Sequence, residues 1–313
     1  MNRRGFTQAL ATAAFTAALP RLQAETTAAA APVPGQLKGQ VPAHAAAPAF
    51  GLSVMLWTVF NGLPFEERLA KIAEAGYSNI ELVGEYSKWS DADFARANAA
   101  RKRLGIRFDA TAGLANGVSN PATADAFLAE LRQALTPMET LGCPAMIVLS
   151  GDVVPGLTRE AQHQASIETL RRATAIVGGR EIDGQPVRLL LECIHVEERP
   201  KYFMTSALEA IDVVRAVDHP QVQFLYDIYH EQMGFGNLIE KLDKHIDVVG
   251  LIHVADVPGR HDPGTGEINY ANIYRELAQL NYRRNVAMEF RPSGDPVAAL
   301  RAAKALALAA GTA

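Results

Sequence analysis

From residue 50 onward, short apolar runs alternate with longer amphipathic stretches. The runs are Leu52–Trp57, Asn79–Val83, Arg107–Thr111, Ala145–Leu149, Val187–His195, Gln221–Tyr226, Val248–Ala255 and Asn285–Phe290. Several are apolar almost throughout, the pattern of strands buried on both faces. Helical spacing fills the gaps. Pro64–Ala75 has proline at its start, Leu69, Ile72 and Ala73 on one stripe, and Gly76 as its stop. Ser90–Leu104 opens on Ser90 and Asp91 and ends at Gly105. Further helices are predicted over 122–141, 158–177, 205–217, 235–244, 270–280 and 294–309. Eight strand–helix pairs predict an α/β fold, a single (β/α)8 TIM barrel over 50–313. An open doubly wound sheet would want a glycine-rich phosphate turn after its first strand, and Trp57-Thr58-Val59-Phe60-Asn61-Gly62 is not one.

The first fifty residues read differently. Met1-Asn2-Arg3-Arg4-Gly5-Phe6-Thr7 is followed by a mild apolar stretch from Ala9 to Leu19 and then Leu22-Gln23-Ala24. A basic start, apolar middle and small-residue end make a signal peptide over 1–24, and the paired arginines before Phe6 resemble a twin-arginine export signal. The expected partner is the twin-arginine translocase, and the expected destination is outside the cytoplasm, in the periplasm. Residues 25–49 are rich in Ala and Pro without apolar periodicity, which predicts a flexible linker.

Composition narrows the function classes. The chain is 49% hydrophobic and 20% charged, with a net charge of −4 and no basic block. That argues against a nucleic-acid surface, and removing Arg3, Arg4 and Arg21 with the signal would make the balance more acidic. No apolar run reaches the roughly 18 residues of a membrane span. Two cysteines, Cys143 and Cys193, cannot build a four-thiolate zinc site, and both are expected as buried thiols.

The chemistry is expected at the C-terminal ends of the strands, where such barrels carry their sites. The later strands read Leu191-Glu192-Cys193-Ile194-His195, Tyr226-Asp227-Ile228-Tyr229-His230, Ile252-His253-Val254 and Met288-Glu289-Phe290-Arg291. A carboxylate inside an apolar strand is costly unless it is paired or binds a cation. Glu192, Asp227 and Glu289 at equivalent points of separate strands can converge on the barrel axis, and His253 can complete the set. Three carboxylates and one imidazole suit one divalent ion, Mg²⁺ or Mn²⁺ first, with Co²⁺, Fe²⁺ or Zn²⁺ admitted by the imidazole. Trp57, Phe60, Tyr86, Trp89 and Tyr229 are candidates for an aromatic wall around a small polar substrate.

The segment Val254–Tyr270, VADVPGRHDPGTGEINY, together with Tyr226–His230 and Met288–Pro292, resembles the sugar phosphate isomerase/epimerase superfamily of xylose isomerase-like barrels, and most of all the hydroxypyruvate isomerase family. The resemblance covers roughly 51–305 and is strongest from 187 onward. It implies metal ligands Glu192, Asp227, His253 and Glu289, with Glu192 and Glu289 also acting as the catalytic proton-transfer pair. It implies substrate contacts from His230, Glu198 and Arg260, and places His195 at the same mouth, where many relatives have Asn.

The implied reaction is isomerisation or epimerisation of a small hydroxy-carbonyl compound or keto sugar. The metal would hold the carbonyl and neighbouring hydroxyl oxygens, and one glutamate would take the α-proton to give a metal-bound enediolate. Export favours a lyase or hydratase acting on a 3-keto-glycoside as an alternative. A non-catalytic periplasmic sugar-binding barrel and a DNA endonuclease are further readings. Intact acid–base glutamates oppose the binder, and the acidic charge balance opposes the nuclease. Relatives imply a homo-oligomer. The loop 256–268, with Gly259, Gly264 and Gly266, is expected to serve as a lid or subunit contact.

Overall fold

The computed structural model describes residues 48–312. The expected export signal, and the linker up to residue 47, lie outside the described residues. Eight parallel strands close a barrel: β1 (Gly51–Met55), β2 (Asn79–Val83), β3 (Arg107–Ala112), β4 (Ala145–Leu149), β7 (Arg188–Glu192), β8 (Val222–Asp227), β9 (Val249–Val254) and β10 (Asn285–Met288). Around the ring the strands follow one another in chain order, with β10 pairing β1. Two further short strands, β5 (Glu181–Ile182) and β6 (Gln185–Pro186), form an antiparallel hairpin outside it that the hydrophobic pattern did not reveal.

The helices are α1 (Phe65–Glu74), α2 (Asp91–Leu104), α3 (Ala124–Leu141), α4 (Arg159–Val177), α5 (Ala207–Val217), α6 (Ile228–Gly234), α7 (Leu238–His245), α8 (Tyr270–Gln279) and α9 (Pro296–Ala310). Local chemistry sets their ends. Ser90 and Asp93 form a reciprocal capping box on α2, and Gly105 stops it in the left-handed conformation at φ 66°. Such a cap contributes about 1 kcal/mol. The expected strand Val187–His195 overruns β7: the sheet ends at Glu192, and the Ile194 N–H already bonds the carbonyl of Met204 instead of a neighbouring strand. It also missed α6, whose N-cap is Asp227; the Asp227 carboxylate accepts from the N–H groups of Tyr229 and His230. No helix of the described residues is long and apolar enough to cross a membrane.

Strand alternation divides the core in two. Outward side chains such as Ile80, Phe108, Leu189, Leu191, Phe224 and Ile252 pack under the helices. Inward ones, Met55, Ala110, Ala145, Ile147, Leu190, Leu225, Leu251 and Ala287, fill the barrel. Cys193 lies in the outer layer and Cys143 is likewise buried; both are free thiols, as expected. Truncating an inward leucine such as Leu190 to Ala should cost about 2–5 kcal/mol.

The inward residues stack in layers. Two positions before the aliphatic layer come Ser53, Arg188, Gln223 and Asn285, joined by Asn79 and by Asp109 at a register shift between β2 and β3. Two positions after it come Trp57, Glu192, Asp227, His253 and Glu289. The period of two along each strand thus converts Leu190, Leu225, Leu251 and Ala287 into a platform for the polar groups above them.

Candidate active site

Glu192, Asp227, His253 and Glu289 are all buried, and each offers one ligand atom within 4.8 Å of the other three. Strand register produces this convergence: Asp227 on β8 pairs with His253 on β9, which pairs with Ala287 on β10, two residues before Glu289.

The arrangement fits a bound divalent cation. His253 Nδ1 and Glu289 Oε2 stand 2.7 Å apart, an ion-pair distance without hydrogen-bond alignment, and Arg260 Nη2 lies 2.8 Å from the same oxygen. Two buried acceptor-capable atoms that close and misaligned point at a shared space. The other ring nitrogen, His253 Nε2, lies 2.8 Å from Glu81 Oε2. A ligating imidazole usually gives its second N–H to a carboxylate, which fixes ring orientation and tautomer, and Glu81 is placed to receive it.

Around this cluster the remaining predicted residues are brought together. Arg260 sends Nη1 to both oxygens of Glu198 at 2.9 Å, and Nη2 to Glu289 Oε2 at 2.8 Å and Asp227 Oδ2 at 3.4 Å. The Trp57 indole N–H donates to Glu289 Oε1 at 2.9 Å. His230 Nε2 lies 3.4 Å from Asp227 Oδ2 and 3.8 Å from Glu192 Oε1. His195 Nδ1 meets His230 Nδ1 at 2.6 Å, so one neutral ring donates and the other accepts. Of the aromatic candidates, Trp57 and Tyr229 face the site, with the Arg260 guanidinium packed on both rings. Tyr86 and Trp89 instead line a separate groove of about 880 Å³ near α2 and α3 with Phe94, and none of the four clustered residues lines it. Phe60 packs against the outer core.

The carboxyl groups are driven apart in proton affinity. Burial, with the Glu289 carboxylate beside it, pushes Glu192 up. Burial acts the same way on Glu289, but Arg260 and His253 outweigh it and hold Glu289 low. Burial opposes a charge on His253, yet Glu289 and Glu81 overcome it and push the imidazole well up. Burial raises Glu81 to about 7 against the pull of His253. For His195 and His230 burial dominates and holds both imidazoles below their ordinary value. One carboxyl disposed to hold a proton beside one disposed to release it is the usual composition of an acid–base pair.

The loop after β9 is more constrained than a free polar lid. The buried Asp256 carboxylate accepts from the N–H groups of Val257, Gly264, Gly266 and Ile268. A Cβ at Gly266 would run into the Val257 carbonyl and this carboxylate, which is why glycine stands there. Pinned in this way, the loop delivers Arg260 to the site. Asp256 and Glu81 were not singled out from the sequence. Glu81 was visible by the buried-carboxylate logic, as the acid in Asn79-Ile80-Glu81-Leu82-Val83, but on a strand outside the last four.

The xylose isomerase-like TIM barrel family model matches residues 69–308, and the chain belongs to that family. It is similar to 2-oxo-tetronate isomerase of Pectobacterium atrosepticum, with 29% identity over 243 residues, covering 75% of this chain and 90% of the relative. Similarity to hydroxypyruvate isomerase of Escherichia coli K12 is 27% over 255 residues, covering 80% and 96%. Among solved structures, one described as an AP endonuclease of family 2 from Brucella melitensis superposes with a TM-score of 0.71 at 28% identity, covering 81% of this chain and 96% of that one.

Proposed function

We propose that this chain is a divalent-metal-dependent isomerase of a short hydroxy-keto acid, related in activity to hydroxypyruvate and 2-oxo-tetronate isomerases. The convergence of Glu192, Asp227, His253 and Glu289 on one buried point carries this reading. These four residues would hold the ion, with Mg²⁺ or Mn²⁺ suited to the carboxylates and Co²⁺ or Zn²⁺ to the imidazole. When bound, the ion supplies Lewis-acid polarisation of the substrate carbonyl.

The protein side chains do the rest. Glu192 and Glu289 form the proton-transfer pair. One takes the proton from the hydroxyl-bearing carbon, leaving an enediolate, and the other delivers a proton to the former carbonyl carbon. The hydroxyl proton moves between the two oxygens, so nothing is oxidised or reduced overall. His230 and Arg260 hold these oxygens, His195 fixes the tautomer of His230, and Glu198 and Asp227 orient Arg260. Trp57 orients Glu289 through its indole N–H and closes one wall against water.

The test is turnover of hydroxypyruvate and 2-oxo-tetronate after chelator stripping and return of each ion, with products read by ¹H NMR. The expected result is isomerised product only after metal return. An eliminated or hydrated product would point to the lyase alternative, and no product with either acid would refute the reading. Cleavage of abasic duplex DNA tests the activity in the name of the Brucella structure, and none is expected from an acidic chain with one histidine among the four ligands.

The paired Arg3 and Arg4 before Phe6 support export of the folded chain through the twin-arginine route. Fusing residues 1–47 to a reporter and fractionating cells, with Arg3→Lys/Arg4→Lys as control, tests this. A reporter that stays in the cytoplasm with the intact pair would refute it.

A further inference from the structure

The cationic groups of the proposed site already have carboxylate partners, except at one edge. The Arg260 guanidinium is divided among Glu198, Glu289 and Asp227. The ring of His253 is held between Glu81 and Glu289. Arg291, two residues beyond Glu289 where the chain leaves β10, is exposed, and among the described residues its guanidinium makes no ion pair and no hydrogen bond. Its backbone is nonetheless fixed on both sides. The Arg291 N–H donates to the Arg260 carbonyl at 2.7 Å, and its own carbonyl meets His261 Nδ1 at 2.9 Å. Its guanidinium carbon lies 5.8 Å from the centre of the Trp57 ring, the same ring whose N–H donates to Glu289. An arginine without a partner among the described residues therefore lies over Trp57 at the edge of the mouth.

The charge balance gives that arginine a task. The cations within the site, Arg260 and the ion proposed there, are already shared among Glu192, Glu198, Asp227 and Glu289. A neutral ketose enters such a site without needing a further cation. A 2-oxo acid brings a carboxylate beside its carbonyl, next to these acids, and an unpaired cation would receive it. A planar guanidinium held by aromatic stacking offers a two-pronged match to a carboxylate.

We infer that Arg291 is the specificity-determining residue of this enzyme, receiving the carboxylate of a short 2-oxo acid while Glu192, Asp227, His253 and Glu289 take its carbonyl end. This deepens the isomerase reading and rests on it for the substrate's other end. It sets the substrate class as acids rather than neutral sugars of the same length.

Two pairs of compounds test it on the Mn²⁺-loaded protein, comparing wild type with Arg291→Met and Arg291→Lys. For turnover the pair is hydroxypyruvate against dihydroxyacetone, which differ only in carboxylate against hydroxymethyl. For binding without turnover it is glycerate against glycerol, followed by calorimetry and by Trp57 fluorescence. Arg291→Met should raise KM for hydroxypyruvate and weaken glycerate binding on the order of 10- to 100-fold, the range of a charge-assisted contact. The value of kcat and the response to the neutral compounds should change little, and Arg291→Lys should fall between. Equal losses for the acid and neutral member of each pair, or no glycerate binding by wild type, overturns the inference. If wild type turns over neither compound while glycerate binding still depends on Arg291, the carboxylate site stands and the isomerase reading fails.

Discussion

The barrel interior is polar at both ends, and the two ends handle polarity in opposite ways. At the N-terminal floor the groups satisfy one another. Ser53 donates to Asp109 at 2.8 Å, Asn285 donates to its other oxygen, and Arg284 donates to Gln223. Asn79 reaches the Leu52 carbonyl at 3.0 Å and Arg188 the Gly250 carbonyl at 2.9 Å. At the C-terminal mouth, His253 Nδ1, Glu289 Oε2 and Glu81 Oε1 are buried without an aligned hydrogen bond, Glu289 Oε2 being held only by ion-pair contacts to Arg260 and His253. A closed network rigidifies a fold, whereas convergent unsatisfied groups mark a place built for something that is added. The floor is a closed network and the mouth is the candidate site, although both are built from polar side chains on alternating strand positions.

Substitutions at the two ends should therefore separate activity from stability. The largest expected effect is at the mouth. Glu289→Gln should lower kcat by on the order of 10²–10⁴ with circular dichroism unchanged. Loss of the folded signal would instead make Glu289 a structural group like those of the floor. Next comes Glu81→Gln, which touches no proposed reacting atom but loses the carboxylate facing His253 Nε2. Metal affinity by calorimetry should fall roughly 10- to 100-fold. Unchanged affinity would remove Glu81 from the metal-orienting role.

At the floor the sign reverses. Asp109→Ala leaves the Ser53 and Asn285 donors without their acceptor and should cost about 1–3 kcal/mol in urea unfolding. Turnover per folded molecule should stay near wild type, and a large fall in kcat would break the division between the two ends. The smallest effect is the pH dependence of metal binding. In the metal-free protein Glu192 and His253 are both pushed up, by burial for Glu192 and, against burial, by neighbouring carboxylates for His253. Protons on these groups compete with the ion, so metal affinity should rise with pH, by up to about tenfold per unit for each proton displaced. Calorimetry across pH 6–8 in buffers of different ionisation enthalpy checks both slope and proton release, and a flat profile would contradict the protonated metal-free site.

Much of this was legible along the chain because two rules were enough. Alternating apolar runs located the eight barrel strands, and Asn79–Val83 and Ala145–Leu149 end where the pattern ends. The cost of a lone acid in an apolar strand then exposed Glu192, Asp227 and Glu289. What escaped depends on contacts that run across the sequence. Asp227 caps α6 through its own side chain, so Ile228–His230 read as strand until the cap is seen. Glu81 meets His253 from 172 positions away. The grip of Asp256 on its loop is a matter of four backbone N–H groups, which no residue type announces. Tyr86 and Trp89 show the converse, since aromatic residues just past strand β2 turn to a groove of their own.

The central claim is that the unsatisfied mouth performs proton transfer with a divalent ion. The most direct test is solvent deuterium incorporation into hydroxypyruvate, followed by ¹H NMR, for wild type and Glu289→Gln with Mn²⁺ and after chelation. The account predicts exchange of the C3 protons and formation of the isomer by the metal-loaded wild type alone. Exchange that persists after chelation or in Glu289→Gln, or a folded, metal-loaded wild type that exchanges nothing, would contradict it.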